Sequence, residues 1–216
     1  MSFHPARALI RFAFHTFYNR FAFTYDMVSR IVSRGEWRAW TRAAIPFLRG
    51  TRILEIAFGT GDLHQDLHDA GYVPIGIDLS PYMLEITRRK FQKRGIVPRL
   101  ARADVCALPF PDNFFSSLVM TFPPGFIFNP AAMLEMYRVL EPEGVLVWVD
   151  AAYVEPRDLW SRFINQAFAL TGTGTPAKLR TAALDAAHAA GATWAWRAET
   201  VASPTSRVQV FIPVKN

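Results

Sequence analysis

The sequence has little that would link the chain covalently or hold it in a bilayer. Its 216 residues include one cysteine, Cys106, which excludes an internal disulfide framework and a cysteine-based zinc site. No apolar run approaches the ~20 residues of a membrane-spanning helix. The apolar N-terminus is interrupted by arginines and lacks a small-residue cleavage site. These absences predict a cytoplasmic protein that is stabilised by an ordinary hydrophobic core.

Charge of one sign is missing from parts of the chain. The net charge is +6, from 24 Lys and Arg against 18 Asp and Glu, yet residues 53–84 contain no basic side chain. The basic residues concentrate in segments 1–52 and 85–102, whose partner could be nucleic acid, anionic lipid or none. The segments lack the aromatic and basic interleaving of a nucleic-acid-binding module. We therefore expect no nucleic-acid partner.

From residue 52 onward, strand-like runs alternate with helix-like runs, a pattern typical of a parallel sheet built from βαβ units. Two last strand candidates are separated by the turn at 202–206, which predicts an antiparallel hairpin. The predicted fold is α/β, a Rossmann-like doubly wound sheet that is mostly parallel with a C-terminal antiparallel hairpin. The predicted strands are 52–57, 73–78, 99–102, 115–122, 145–149, 193–201 and 207–214.

Residues 1–50 precede the alternating part and are predicted to form a helical extension. Ile10, Phe14, Phe17 and Phe21 recur at i, i+4, i+7 and i+11, which places them on one apolar stripe of a helix. Arginines lie beside this stripe. Two interpretations follow, a helical lid packed on the α/β domain of residues 51–216 and a peripheral contact with an anionic membrane.

The end of the first predicted strand has the features of a ligand site. Glycines at a strand-to-helix turn, here Gly59 and Gly61, let a ligand approach the backbone. Asp78 closes the second strand, where an acidic residue would bind the hydroxyls of a ribose. Ligands of open α/β sheets bind at this carboxyl edge. The spacing predicts a nucleoside-containing ligand.

The type of nucleoside follows from what this turn lacks. A dinucleotide fingerprint requires G-x-G-x-x-G, but the sequence has Ala57, Gly59 and Asp62 at those positions, and no Gly-Lys-Ser/Thr follows. Asp62 would place negative charge where a pyrophosphate should lie. The acidic segment 53–84 suits a ligand with cationic groups better, such as a sulfonium and an α-amino group.

Residues 53–63, Ile-Leu-Glu-Ile-Ala-Phe-Gly-Thr-Gly-Asp-Leu, resemble motif I of the class I S-adenosylmethionine-dependent methyltransferases. The form with Ala57 is similar to the ubiquinone/menaquinone-biosynthesis C-methyltransferases. Segments 76–84, 103–114 and 136–144 resemble later motifs of that family in the same order, and 21–27 and 35–38 resemble its N-terminal signature. The resemblance implies that 51–216 is a class I methyltransferase domain that uses S-adenosyl-L-methionine.

The resemblance also implies a set of cofactor-binding residues. They comprise the turn around the methionine part, the carboxylate on the ribose, the contacts to adenine, the strand-four end beside the methyl donor and one residue of the lid. In that order, the matching positions are Glu55, Ala57, Phe58, Gly59 and Gly61; Asp78; Leu79, Met83, Asp104 and Val105; Thr121 and Phe122; and Tyr25.

The acceptor is less well defined, because residues 121–128 and the region beyond 150 do not match the family. A small, apolar acceptor is expected, either a quinone-like ring or, as in a phospholipid N-methyltransferase, a lipid amine. An alternative of another class is a non-catalytic S-adenosylmethionine-binding module. No catalytic dyad is apparent, and the candidate bases are Asp150, Tyr153, Tyr25 and His15.

His64 and His68 form an i, i+4 pair that nearly matches H-E-x-x-H, but Gln65 stands where the general-base glutamate must be. A metal site without a third ligand is improbable. We therefore expect no metal, and we predict that both histidines lie on an exposed helix face.

Overall fold

A seven-stranded sheet organises the chain. The computed structural model describes residues 33–215, except 124, 157, 160, 163–180, 182–184, 186 and 190. The helices are α1 (Trp37–Arg42), α2 (Asp62–Asp69), α3 (Pro81–Gln92) and α4 (Pro130–Val139), with short 3-10 turns at Ile45–Phe47 and Gly125–Phe128. The strands are β1 (Ile53–Ile56), β2 (Ile75–Asp78), β3 (Arg99–Arg102), β4 (Phe115–Thr121), β5 (Leu140–Val154), β6 (Trp194–Ala202) and β7 (Ser206–Lys215).

The strand order is β3-β2-β1-β4-β5-β7-β6. The first five strands pair in parallel, and β7 is antiparallel to both β5 and β6. The prediction of a mostly parallel, Rossmann-like α/β sheet with a C-terminal antiparallel hairpin is confirmed. The order changes direction between β1 and β4, which makes their carboxyl ends the switch point of the sheet.

Two helices begin as the local sequence predicts. The Ser80 side chain accepts a hydrogen bond from the Met83 backbone N–H at 3.4 Å, and Asn129 Oδ1 accepts one from the Ala131 N–H at 3.0 Å. In each case a proline follows at the first helical position, where its fixed φ angle and missing N–H do no harm. The caps therefore fix where α3 and α4 start.

Strand β5 is longer than the apolar run at 145–149 predicts. It continues to Val154 because β7 pairs along it from Val145 opposite Val214 to Val154 opposite Ser206. This distant pairing extends the strand past Asp150, where the apolar run stops.

Both faces of the sheet are covered. On one face, Met133 and Met136 of α4 pack with Leu118 and Trp148. The other face carries a second buried cluster, in which α1 and α2 meet β4 and β5: Trp40, Leu63, Leu67, Val119 and Val147. Burial on both faces explains why the middle of β5 is an unbroken apolar run.

Helix α1 is attached to the β6–β7 turn. Glu36, just before α1, accepts hydrogen bonds from Thr205 N (3.0 Å), Thr205 Oγ1 (2.6 Å) and Ser206 Oγ (2.6 Å), and buried Trp40 donates its indole N–H to Ser206 Oγ at 2.7 Å. Burial raises the pKa of Glu36, but the hydrogen bonds from Ser206 and Thr205 outweigh it and lower this pKa to about 2. The start of α1 is therefore held to the β6–β7 turn.

Residues 1–32 lie outside the part of the chain that the structure describes, and with them Tyr25, His15 and the apolar stripe. The lid and the membrane contact stay predictions. Most of residues 157–190 also lies outside it. Where the structure is described, no helix is both long enough and apolar enough to cross a membrane.

The basic segment 85–102 begins on α3, beside the acidic helix α2, and ends on β3. Lys90 Nζ lies 2.9 Å from Asp62 Oδ1, and Arg94 forms an ion pair with Asp69. The two segments of opposite charge therefore partly neutralise each other within the fold. Part of the basic charge is accounted for without an external partner.

Candidate active site

Four adjacent strands, β2, β1, β4 and β5, meet at one level of the sheet, where the first three end and β5 continues to Val154. The parallel pairings of β1 with β2, β1 with β4 and β4 with β5 run up to this edge. Continued to the strand ends, they place side by side Asp78, Ala57, Thr121 and Val149. Because ligands of open α/β sheets bind at the carboxyl ends of the strands near the switch point, this row is the candidate site.

The backbone at the ends of β1 and β4 is strained. Ala57 and Phe122 adopt positive φ angles of 56° and 48°, a left-handed conformation that non-glycine residues rarely adopt. Such outliers concentrate at functional sites. Their position on either side of the switch point supports its assignment as the ligand-binding edge.

The two glycines after β1 serve different purposes. Gly61 has φ +80°, and a Cβ added there would lie 2.4 Å from the Thr87 side chain of α3. Gly59 has φ +56°, but a Cβ added there would meet nothing within 4 Å. Gly61 is therefore required by packing, whereas Gly59 borders open space through which a ligand can approach the backbone.

Asp78 connects the end of β2 to this turn. Its Oδ2 accepts a hydrogen bond from Gly59 N at 2.9 Å, and its Oδ1 accepts one from Ser80 N at 2.8 Å. Burial raises the pKa of Asp78, and the backbone hydrogen bonds oppose that rise. Each carboxylate oxygen keeps a further lone pair. Asp78 can therefore orient the turn and still accept hydrogen bonds from a ribose diol.

The prediction that His64 lies on an exposed helix face is wrong. His64 is 1 % exposed, and its Nδ1 lies 2.7 Å from Oε2 of Glu55, which is 2 % exposed. Phe91 of α3 packs edge-on against its ring, with 5.4 Å between centroids. His68, one turn later, is only partly buried. His64, the first histidine of the near-match to a metal motif, is therefore the partner of the buried Glu55 carboxylate.

The Glu55 carboxylate lies in the protein interior, where it pairs with His64. Burial raises the pKa of Glu55, the hydrogen bond and charge of His64 lower it, and the nearby charges of Asp78 and Asp62 raise it. The Glu55 carboxylate therefore connects β1 to α2 through His64, on the buried side of the turn that joins them. Across the described part of the chain, no three His, Cys, Asp or Glu side chains come together as metal ligands.

The predicted adenine contacts divide into exposed and buried residues. Leu79 is 59 % exposed, and Asp104 is also exposed, with its Oδ1 accepting a hydrogen bond from Cys106 N at 2.9 Å. Val105 is largely buried, and Met83 is fully buried against Phe58. Leu79 and Asp104 are therefore exposed to solvent, whereas Met83 packs against Phe58 in the protein interior.

Aromatic rings cover the end of β4. Trp37 of α1 stacks on Phe122 with 4.6 Å between ring centroids and 26° between their planes. Trp40 lies 6.2 Å from the same ring. Sequence reasoning missed this role of Trp37, although the family-like segment 35–38 marked its position.

Asp150 follows Val149 directly, within β5. Its Oδ2 is buried and has no hydrogen-bond partner, and burial raises the pKa of this carboxyl to about 6. Tyr153, another candidate base on this strand, is 54 % exposed.

Residues 53–144 match the family model described as a methyltransferase domain. The chain therefore contains a domain similar to those of the class I S-adenosylmethionine-dependent methyltransferases. Over 129 residues it is 40 % identical to the demethylmenaquinone methyltransferase of Thermus thermophilus. Over 133 residues it is 38 % identical to the ubiquinone/menaquinone biosynthesis C-methyltransferase of Coxiella burnetii. Each alignment covers 57 % of this chain, and the chain spans only 59 % and 53 % of these two relatives.

A solved methyltransferase structure has the same architecture. The S-adenosylmethionine-dependent methyltransferase from Thermotoga maritima is similar with a TM-score of 0.62, covering 94 % of this chain and 100 % of that chain. The sequence identity is 21 %, so this likeness concerns the fold.

S-adenosyl-L-methionine is the cofactor of this methyltransferase class, and the edge of the sheet fits it. Asp78 offers oxygens to a ribose, Gly59 leaves the turn open, and segment 53–84 has no basic side chain that would repel a sulfonium and an ammonium group. Which of the predicted cofactor residues contact the ligand stays a prediction.

Proposed function

We propose that this methyltransferase transfers a methyl group from S-adenosyl-L-methionine to a carbon of a small hydroxylated ring of the quinol class. The observation that carries the proposal is the identity of 38–40 % with two methyltransferases of quinone biosynthesis. The family model covers β1 to the start of β5, so the likeness includes the part of the candidate site formed by Ala57, Asp78 and Thr121.

The side chains beyond β4 support an apolar acceptor. Phe126, Ile127 and Phe128 of the 3-10 turn belong to the apolar cluster on the α4 face, and the Trp37–Phe122 stack covers the strand end. Removing apolar ring surface from water contributes about 25 cal/mol per Å². These surroundings favour a flat hydrophobic ring.

The chain's own contribution to the reaction is mainly alignment. Bound S-adenosyl-L-methionine supplies an electrophilic methyl carbon, and transfer requires the acceptor atom, methyl carbon and sulfur to lie in line. Holding two reactants in this geometry can supply about 7–11 kcal/mol of the barrier. Asp78 and the turn at Gly59 hold the donor side, and the ends of β4 and β5 face the acceptor side.

Two measurements test the proposal. Calorimetric titration with S-adenosylhomocysteine should show binding at one site. Incubation with methyl-labelled S-adenosyl-L-methionine and a 2-prenyl-1,4-naphthohydroquinone under anaerobic conditions should give a product labelled on the ring carbon. Binding of S-adenosylhomocysteine without ring methylation would overturn the quinol assignment, and label in phosphatidylethanolamine vesicles instead would establish the phospholipid alternative.

Contact of the N-terminal stripe with an anionic membrane is a separate proposal that fits a membrane-soluble acceptor. Co-sedimentation with phosphatidylglycerol vesicles that weakens as salt increases would support it, because the attraction between arginines and anionic lipid is screened by salt. An absence of co-sedimentation at low salt would overturn it.

A further inference from the structure

Asp150 lies where the sheet changes from the cofactor side to the acceptor side. It comes one residue after Val149, which pairs with Thr121 at the end of β4. The pairing of β5 with β7 shifts register between Val149 and Ala151, so Asp150 has no opposite residue on β7. A β-bulge of this kind redirects a side chain and is common beside active sites.

The carboxylate of Asp150 lacks what buried carboxylates normally have. Its Oδ2 is buried without a hydrogen-bond partner, and such a group in a native structure calls for an explanation. Across the described residues, the other unpartnered buried polar side-chain atoms belong to three indoles and a serine, which are neutral. The residue as a whole is partly exposed.

The described surroundings of Asp150 contain no charged group that would fix its protonation state. On the β4 side its neighbours are Thr121 and Phe122, and on the β7 side Val210 and Gln209 lie opposite the adjoining residues. From α1, the indole of Trp37 covers Phe122. Burial is the cause that raises the pKa of Asp150.

The next charged residue on β7 is used elsewhere. Arg207 lies opposite Tyr153, three residues beyond Asp150, and its Nε is 3.7 Å from Glu155 Oε1. Asp150 is therefore the buried carboxylate of this edge that lacks both a hydrogen-bond donor and a cation.

We propose that Asp150 is the proton acceptor of the methyl transfer, taking the hydroxyl proton of the acceptor ring. The inference rests on the proposed function. Asp150 lies within β5, two strands from β1 and one residue beyond the level at which β4 ends. With ~4.8 Å between neighbouring strands, Asp150 and the end of β1 are about 10 Å apart. That separation leaves room for a ring between the donor turn and the carboxylate.

The proton and electron balance of the step is complete. The ring hydroxyl gives its proton to the Asp150 carboxylate, and the electron pair of the activated ring carbon forms the bond to the methyl carbon. The bond between the methyl carbon and sulfur breaks, and the electron pair of this bond stays on sulfur. The ring carbon then loses its hydrogen to water as a proton, while the ring oxygen regains the proton held by Asp150.

The substitution Asp150→Asn tests the role, because it keeps the shape and removes the proton-accepting charge. We expect kcat/KM with the naphthohydroquinone to fall about 100-fold or more, the usual contribution of a general base. The wild-type protein should lose activity below pH 6 as Asp150 becomes protonated, and the variant should lack this acidic limb. Asp112→Asn, which makes the same chemical change at an exposed carboxylate paired with Arg138, is the control and should keep both the rate and the limb.

Two readouts separate this role from a structural one. Affinity for S-adenosylhomocysteine should change less than twofold in Asp150→Asn. Its melting temperature should exceed that of the wild type at pH 7.5 but not at pH 4, because only the charged carboxylate is unfavourable when buried. An active wild type with an equally active variant overturns the assignment of Asp150 alone. A wild type that binds S-adenosylhomocysteine but methylates no quinol overturns the proposed function, and the present inference with it.

Discussion

Buried carboxylates on the two sides of the candidate site differ in their hydrogen-bond partners. On the β1–β2 side, Glu55 has His64 and Asp78 has two backbone N–H groups. On the β5 side, Asp150 Oδ2 has no partner. Burial raises the pKa of all three carboxyls, and only Asp150 lacks an opposing interaction. Partnered carboxylates fix geometry, whereas an unpartnered one remains able to exchange a proton.

The largest effect should come from removing the partner of Glu55. His64→Leu leaves a buried carboxylate uncompensated, and we expect the free energy of unfolding to fall by about 3–5 kcal/mol in urea titrations. His64→Asn, which places an N–H donor near the former Nδ1, should recover part of this loss. His68→Leu is the control on the same helix and should have a small effect. Equal stabilities of His64→Leu and His68→Leu would contradict the prediction.

Asp78→Asn should weaken the cofactor side without affecting the acceptor side. The change removes the charge that accepts from Gly59 N, and a hydrogen bond to a charged group contributes about 1.5–3 kcal/mol. Calorimetry should therefore show roughly 10- to 100-fold weaker binding of S-adenosylhomocysteine. Asp112→Asn, a surface carboxylate paired with Arg138, should bind normally. Unchanged affinity in Asp78→Asn would remove Asp78 from the site.

On the β5 side, a substitution should stabilise the protein. Asp150 has a folded pKa of about 6 against an ordinary 3.8, so its contribution to stability is present below pH 3.8 and is lost as pH rises through 6. At ~1.4 kcal/mol per pKa unit, Asp150→Asn should gain up to about 3 kcal/mol at pH 7.5 relative to pH 3.5. Thermal melts at the two pH values measure the difference. A variant that is less stable than the wild type at pH 7.5 would show that Asp150 has a stabilising partner.

The smallest effect concerns the strained turn between the two sides. Ala57 has φ 56°, and glycine adopts this conformation without a Cβ clash. Ala57→Gly should raise the free energy of unfolding by about 0.5–1 kcal/mol, since the relief of strain exceeds the added entropy of the unfolded chain. Ala39→Gly, at an exposed position of α1, is the opposite control and should lower the free energy of unfolding by ~1 kcal/mol. A loss at both positions would show that Ala57 is not strained.

Local patterns predicted several features well. The caps at Ser80 and Asn129 and the position of Asp78 at the end of β2 depend on residues close in sequence. The burial of His64 does not, because it depends on Phe91 of α3 and on the carboxylate of Glu55. An i, i+4 spacing shows which side chains share a helix face, and says nothing about which tertiary neighbour covers that face.

The acceptor side was harder to predict for the same reason. β5 extends past Asp150 because of β7, which follows more than fifty residues later. The cover over β4 comes from Trp37, which precedes β1. The missing partner of Asp150 is a property of several elements together, and the sequence indicated only that a carboxylate follows an apolar strand.

The hydrogen bonds between α1 and the β6–β7 turn have a consequence for synthesis of the chain. Trp40 and Ser206 are 166 residues apart, so this attachment cannot form until the ribosome has made the start of β7. At 5–20 residues per second this interval is about 8–30 s. During that time α1 has only its contacts with earlier elements, among them the ion pair of Arg38 with Asp66, and its packing is completed when the last strand is made.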